Sequence, residues 1–219
     1  NRAFFQAQNS PMLKNAAFNV NGEVVPTGTL TLALKMLKKL KENYRDHELI
    51  FCWDSGKGGR DKISEGSYKA TRPKLGGKET MYDQTQIFMS ILANIGVTDA
   101  ISEGNEADDV IGTIVATMKP EIELVIYSTD KDFFQLLVRD TIKVHRPMSG
   151  KIEDKIVTKN NLIEHFDCTQ PHVILMKALT GDASDNIAGV PSTGKKKTDM
   201  KPSVARDLAT RYTSIAVSY

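Results

Sequence analysis

At 219 residues the chain can bury a core in one domain or one and a half, and 40% hydrophobic with 26% charged residues is ordinary for a globular protein. No apolar run approaches the roughly 20 residues that span a bilayer, no signal peptide opens the chain, and two cysteines (Cys52, Cys168) with four scattered histidines exclude a disulfide framework or a zinc cluster, so a reducing cytosol is the default. The formal charge is only +2, from 29 Lys+Arg against 27 Asp+Glu, but the charges are segregated along the chain.

The chain opens on Arg2 and the pair Phe4-Phe5, which read as the inside of an element. Residues 9–27 carry Pro11, Asn19, Asn21, Gly22 and Pro26, a surface loop with a candidate hairpin turn at Asn21-Gly22. A helix is expected over 27–43, with Leu30, Ala33, Leu34, Leu37 and Leu40 on one face. Residues 49–53 form a buried-strand candidate that ends in an acid, Asp54. Gly56-Lys-Gly-Gly-Arg60 breaks regular structure, and from Lys57 to Lys78 basic residues dominate, with Tyr68 among them.

A further helix starts near Met81, with Phe88, Ile91, Leu92 and Ile95 on one stripe. Residues 97–101 are a short strand or an extended link. Glu106, Asp108 and Asp109 then open a helix whose core face is Ala107, Val110, Ile111, Ile114 and Val115. Carboxylates in a first turn also suit the helix dipole. Four apolar or aromatic residues at 124–127 make another buried strand, followed by Ser128, Thr129, Asp130 and Asp132. Residues 133–137 read as a short helix, 141–145 as a strand, and Gly150 as a turn. Thr158 is placed as the cap of a helix through Glu164. Pro171 begins a helix with Ile174, Leu175, Ala178 and Leu179 inward, running into an acidic turn with Asp182 and Asp185. Gly189, Gly194 and Lys195, Lys196 and Lys197 follow, and Pro202 suits the first turn of a last helix. Strands alternating with helices indicate an α/β fold with a largely parallel sheet.

The acids need one explanation. Two carboxylates about 4 Å apart repel by roughly 4 kcal/mol at a surface-like dielectric. In a parallel α/β sheet, strand C-termini and helix N-termini share one edge. Asp54, the Glu106–Asp109 cluster and Asp130 with Asp132 should therefore converge, and Asp182 with Asp185 needs only a helix end folded over that edge. Oxygen ligands without His or Cys select Mg²⁺ or Mn²⁺ over zinc. Two such ions about 4 Å apart would activate water and stabilise the leaving oxygen of a phosphodiester. In the basic segment, Arg60, Lys62, Lys69, Arg72 and Lys74 could neutralise phosphates, while Tyr68 could stack on a base. The lysines at 195–197 beside a Gly-rich turn suit backbone contacts to a duplex.

Five ordered motifs resemble the 5′ nucleases, the family of flap endonucleases and of the 5′–3′ exonuclease of bacterial polymerase I and phages. They are Phe51-Cys-Trp-Asp54; Glu65-Gly-Ser-Tyr68-Lys69-Ala-Thr-Arg72; Glu106-Ala-Asp-Asp109; Ser128-Thr-Asp130-Lys-Asp132 with Gln135; and Gly181-Asp182-Ala-Ser-Asp185-Asn186-Ile-Ala-Gly189-Val-Pro191. The resemblance runs from about residue 1 to 197. It implies a PIN-like catalytic domain over 1–169, a basic helical arch at about 57–78, and a helix–three-turn–helix DNA-binding region over 170–219, divergent after about 197. It implies two divalent metals, with Asp54, Glu106, Asp108, Asp109 and Asp130 serving the first and Asp132, Asp182 and Asp185 the second.

Tyr68, Lys69 and Arg72 match arch residues that contact the 5′ end and the scissile phosphate in the family. The expected substrate is DNA with a 5′ flap, nick or free 5′ end, or an RNA–DNA junction, with a polymerase as partner and a monomeric chain in a bacterial or phage-infected cytoplasm. Three departures stand out. The family begins with a strand ending in a ligand Asp, which this chain lacks before Arg2, so a truncated form or fragment is expected. Ser192 replaces a glycine of the family's Gly-x-Gly turn, where a potassium ion would bind. Lys201-Pro202 interrupts the helix that would follow. Two alternatives stay open: a catalytically impaired DNA-binding fragment of the same fold, or a PIN-type ribonuclease. The latter lacks the arch and the acidic turn.

Overall fold

The computed structural model describes residues 13, 16–55, 78–148, 153–166, 168–182 and 187–188. The expected arch, Gly150 turn, Pro202 helix and Ser192 turn lie outside these residues. The chain divides into two compact units, Asn1–Trp53 with Pro73–Ile101, and Asp54–Arg72 with Ser102–Tyr219. No described helix is long and apolar enough to cross a membrane.

In the first unit, β1 (Ala17–Val20) and β2 (Glu23–Pro26) form an antiparallel hairpin with Phe18 opposite Val25. Asn21 (φ 54°) and Gly22 (φ 87°) supply the two left-handed residues that a tight hairpin turn requires. Asn19 Oδ1 accepts the Gly22 N–H at 2.8 Å, which fixes the turn. Helix α1 (Gly28–Asn43) follows, within a residue of the expected span. Its first residue must be glycine for lack of room, since a Cβ there would sit 1.8 Å from the carbonyl oxygen of Leu13.

Ala33, Leu37 and Leu40 are buried on α1, but Leu34 is 37% exposed and belongs to the flank rather than the buried stripe. Thr27 makes no side-chain cap. The N-terminus is capped from a second helix, α2 (Lys78–Asn94), whose buried Gln84 accepts the N–H groups of Thr29 and Leu30 at 3.1 Å each. This helix begins before Met81 and ends at Asn94. Ile95 therefore falls past its end and is exposed, where Gly96 at φ 70° turns the chain.

Strands β3 (Ile50–Trp53) and β4 (Thr98–Ile101) pair in parallel, with Phe51 opposite Asp99. The Trp53 indole N–H donates to Asp99 Oδ1 at 2.7 Å, so the polar end of the ring is satisfied while its body packs with Phe51 and Phe88. Phe88 and the fully buried Leu92 join Ala33, Leu37 and Val97 as the core of this unit.

The second unit holds α3 (Ala107–Thr117), β5 (Leu124–Tyr127), a 3₁₀ turn (Asp132–Leu136), β6 (Ile142–Arg146) and β7 (Lys155–Thr158). After these come α4 (Leu162–Phe166), a 3₁₀ turn (Gln170–His172), α5 (Val173–Thr180) and the two-residue strands β8 (Gly181–Asp182) and β9 (Ile187–Ala188). The sheet order is β5-β6-β7, with β5 and β6 parallel and β6 and β7 antiparallel. The expected parallel pairing thus holds for β3–β4 and β5–β6, whereas β7 adds an antiparallel strand.

Thr158 ends β7 and also caps the turn into α4: its Oγ1 accepts the Asn161 N–H at 3.4 Å and Asn161 Oδ1 accepts its N–H at 2.7 Å, although the helix itself begins only at Leu162. Two local expectations are corrected. On α3 only Val115 is fully inside, with Ile111 packed partly against the core and Ala107, Val110 and Ile114 half-buried. On α5 the buried residues are Val173 and Met176; of the residues expected inward, Leu179 packs partly against the core and Leu175 is half-buried, while Ile174 is 67% exposed and Ala178 is also outward. The core of this unit closes on Phe134, Leu137, Ile142, Val144, Val157 and Leu162, all without exposed surface.

Candidate functional site

Among the described residues, the sequence-predicted acids fall in the second unit. Asp54 follows β3, and its Oδ1 accepts the N–H of Ala107 at 2.8 Å, while Ser55 N–H donates to the Asn105 carbonyl at 2.8 Å. Asp54 therefore supplies an acceptor to the first turn of α3, where backbone N–H groups have no partner inside the helix. Glu106 is the buried N-cap of that helix. Asp109 Oδ2 accepts the Glu106 N–H at 3.1 Å, the returning arm of a capping box. Asp108 is exposed on the same turn. The sequence pattern that marks these acids as ligands is thus also the pattern that starts a helix.

The second grouping lies after β5. Asp130 Oδ1 accepts the Asp132 N–H at 2.9 Å, and the Asp130 N–H donates to Ser128 Oγ at 3.1 Å. These local bonds turn the strand end into the 3₁₀ turn. Asp132 opens that turn and forms an ion pair with Lys177 of α5. The same ammonium donates to Asp182 Oδ2 at 3.0 Å. Gln135 and Gln170 brace the region, since Gln135 Nε2 donates to the Asp132 carbonyl and Gln170 Nε2 to the Gln135 carbonyl, each at 2.9 Å.

Burial pushes the Asp132 carboxyl above its ordinary range; the Lys177 hydrogen bond opposes this, while the negative charges of Asp130 and Asp182 add to it. For Lys177, burial works to lower the pKa, but hydrogen bonds and charges from Asp132 and Asp182 prevail and hold it above its usual value.

Among the described residues, no group of three or more His, Cys, Asp or Glu side chains is close enough to hold a metal ion. What the structure does bring together is Asp54 with the start of α3, Asp132 and Asp182 on one lysine, and Asp130 on the backbone N–H of Asp132. Asp185, Arg60, Lys62, Tyr68, Lys69, Arg72, Lys74, Gly189, Gly194, Lys195, Lys196 and Lys197 lie outside the described residues.

Sequence reasoning missed Lys177. Val173, Met176, Lys177 and Thr180 fall at i, i+3, i+4 and i+7 on one helical face, but the all-apolar run 173–176 does not mark that face as the inward one. It also missed a pair between the buried His145 and the exposed Asp154, whose Nε2 and Oδ1 are 2.7 Å apart.

A family model described as "5'-3' exonuclease, N-terminal resolvase-like domain" matches residues 1–167. The chain belongs to this family. Among relatives of this 5′–3′ exonuclease family, the chain is 34% identical over 197 residues to a 5'-3' exonuclease of Buchnera aphidicola subsp. Schizaphis graminum, covering 89% of this chain and 63% of the relative. It is 31% identical over 182 residues to a 5'-3' exonuclease of Bacillus subtilis, covering 82% of this chain and 60% of the relative. The chain thus spans less than two thirds of the length of these curated relatives.

Its fold is similar to that of T5 5'-exonuclease with bound divalent metal ions (zinc), at TM-score 0.64 and 19% identity, covering 84% of this chain and 67% of the other. It is also similar to the phage T5 flap endonuclease in a pseudo-enzyme-product complex with DNA and metal ions, at TM-score 0.67 and 18% identity, covering 97% and 72%. These likenesses establish the mixed α/β, 5′-nuclease type of fold.

Proposed function

We propose that this protein is a metal-dependent, structure-selective 5′–3′ exonuclease and flap endonuclease that hydrolyses DNA phosphodiesters near 5′ ends, flaps, nicks and RNA–DNA junctions. The observation that carries the reading is the family match over residues 1–167. Primer removal in replication, or repair, is the setting this activity suits, with a DNA polymerase as partner, since the chain is also 29% identical over 201 residues to DNA polymerase I of Bacillus subtilis. We place the protein as a monomer in the cytoplasm of a bacterial or phage-infected cell. Residues 1–169 would form the catalytic domain and 170–219 a helix–three-turn–helix duplex grip with a potassium ion at its turn.

The donor set bears on the cofactor. Asp130, Asp132 and Asp182 offer carboxylate oxygens alone, and Asp132 with Asp182 already engages a cation in the form of Lys177. Such oxygen chemistry fits a hard divalent ion, Mg²⁺ with Mn²⁺ as a substitute, and not a soft one. Asp54, Glu106, Asp108, Asp109, Asp130, Asp132, Asp182 and Asp185 would hold two ions. When bound, these supply activation of water and neutralise charge on the departing 3′-oxygen. The chain's own part is to present the acids on fixed backbone: Asp130 through its turn to Asp132, Asp54 through its bond to Ala107, and Asp182 on the β8–β9 ladder. In the arch, Lys69 and Arg72 would stabilise charge on the phosphoryl oxygens, with Tyr68 stacked on the terminal base.

The test is incubation of a 5′-labelled flap duplex with the protein in Mg²⁺ or in EDTA. Short labelled products in Mg²⁺ alone are the expected result. Equal cleavage in EDTA, or none with Mg²⁺ or Mn²⁺, would sink the proposal.

A further inference from the structure

Two carboxylates and one ammonium meet between the end of β5 and the end of α5. The Lys177 ammonium donates to Asp132 Oδ1 and to Asp182 Oδ2, and the three side chains are all largely covered, at 25%, 35% and 22% exposure. Asp132 and Asp182 are held by backbone. Asp132 begins a 3₁₀ turn whose first N–H is taken by Asp130, and Asp182 pairs with Ile187 in the β8–β9 ladder. The helix carrying Lys177 is itself anchored through the buried Val173 and Met176. Of the trio, the four-carbon lysine side chain has the longest reach and the most rotatable bonds, so it can withdraw furthest with the backbone in place.

Resting on the metal-dependent reading given above, we propose that Lys177 is the resident counter-cation of the Asp132–Asp182 pair, and that a divalent ion binds these two carboxylates only by displacing its ammonium. The physical reason is competition for the same oxygens. An ammonium in contact with both acids leaves no place for a second positive charge on them, because like charges at that distance repel. Lys177 would thus set the affinity of the site. In the ion-free protein it also offsets the repulsion between two half-buried acids.

The probe is Mn²⁺ alone, without DNA, titrated calorimetrically into the wild-type protein and into Lys177→Met and Lys177→Arg. Lys177→Met should tighten one class of Mn²⁺ site roughly 5- to 150-fold, the usual range for a coupling between two sites. Lys177→Arg, which keeps the charge, should stay near wild type. A purely structural lysine would give the opposite sign, since loosening the acids weakens ion binding. Wild-type uptake of Mn²⁺ with unchanged or weaker affinity in Lys177→Met overturns the proposal and leaves the metal reading standing.

Absence of Mn²⁺ uptake at millimolar concentration by both proteins overturns the two together. A second measurement serves if Lys177→Met does not fold. In nitrogen NMR of lysine-labelled wild type, the Lys177 ammonium resonance should be lost or shifted on saturation with Mg²⁺. An unmoved resonance at saturation overturns the displacement.

Discussion

Asp54 lends its carboxylate to the backbone of Ala107, 53 residues later in the chain, through a 2.8 Å hydrogen bond. One side chain thus serves helix initiation and, in the proposed function, ion binding. The two roles separate by substitution. Asp54→Ala should cost about 1 kcal/mol in urea unfolding, the usual loss on deleting a helix cap, and should abolish flap cleavage. Asp54→Asn keeps an oxygen acceptor, so stability should stay near wild type while cleavage is still lost. Wild-type cleavage by Asp54→Asn would remove it from the metal set.

Asp130 offers a cleaner separation. Its Oδ1 holds the Asp132 N–H, and an asparagine oxygen can do the same. Asp130→Asn should therefore leave the melting temperature unchanged and abolish cleavage, with flap affinity intact or tighter because repulsion with phosphate is relieved. Gel-shift and cleavage assays on one flap duplex check this, and loss of binding with retained cleavage would contradict it.

Lys69 bears on the expected arch. Lys69→Ala should lower the single-turnover cleavage rate more than it lowers flap affinity, the pattern of a contact made in the transition state. An unchanged rate would leave the segment as a solvated loop.

Packing predicts a sharp contrast on the second unit. Phe134 has no exposed surface, and Phe134→Ala should cost roughly 3–5 kcal/mol. Ile174→Ser, on the outward side of α5 at 67% exposure, should stay within about 0.5 kcal/mol of wild type. Chemical denaturation of both variants measures the difference.

Cys52 lies on β3, where burial pushes its thiol up to about 11. At pH 8 roughly one molecule in a thousand would carry the reactive thiolate. Iodoacetamide should accordingly label Cys52 far more slowly than a free thiol, with a rate that climbs about tenfold per pH unit until near that value. Peptide mapping by mass spectrometry reads the rate, and rapid labelling at pH 8 would contradict the burial argument.

The strands β3 and β5 and the helices α1 and α3 were legible in the sequence because their apolar runs match one period and end at a charge or a turn. Strand β7 was not: only Val157 of Lys155–Thr158 is fully buried, while Ile156 is 50% exposed, so four residues gave no readable alternation. The inward face of α5 was misread for a different reason. Val173 through Met176 are all apolar, which leaves the rotation of the helix undetermined, and the lysine that follows reads as a solvent marker. Lys177 instead belongs to the inward side because two acids compensate it there.

For the acids, sequence order suggested convergence, and Glu106 and Asp109 were legible as carboxylates opening a helix, whereas the bond from Ala107 N–H to Asp54, 53 residues away, could not be foreseen from residue types alone. Asp and Glu serve a helix start and a metal equally well.

Gly181 closes α5 at φ 73°, and this reversal brings Asp182 back toward Lys177 five residues earlier. A loop so small costs little entropy to close, in contrast with the bond from Lys177 to Asp132, which spans 45 residues. The two contacts therefore differ in what forming them costs: the neighbouring acid needs only the helix end to close on itself, whereas the distant one also needs the end of β5 in place.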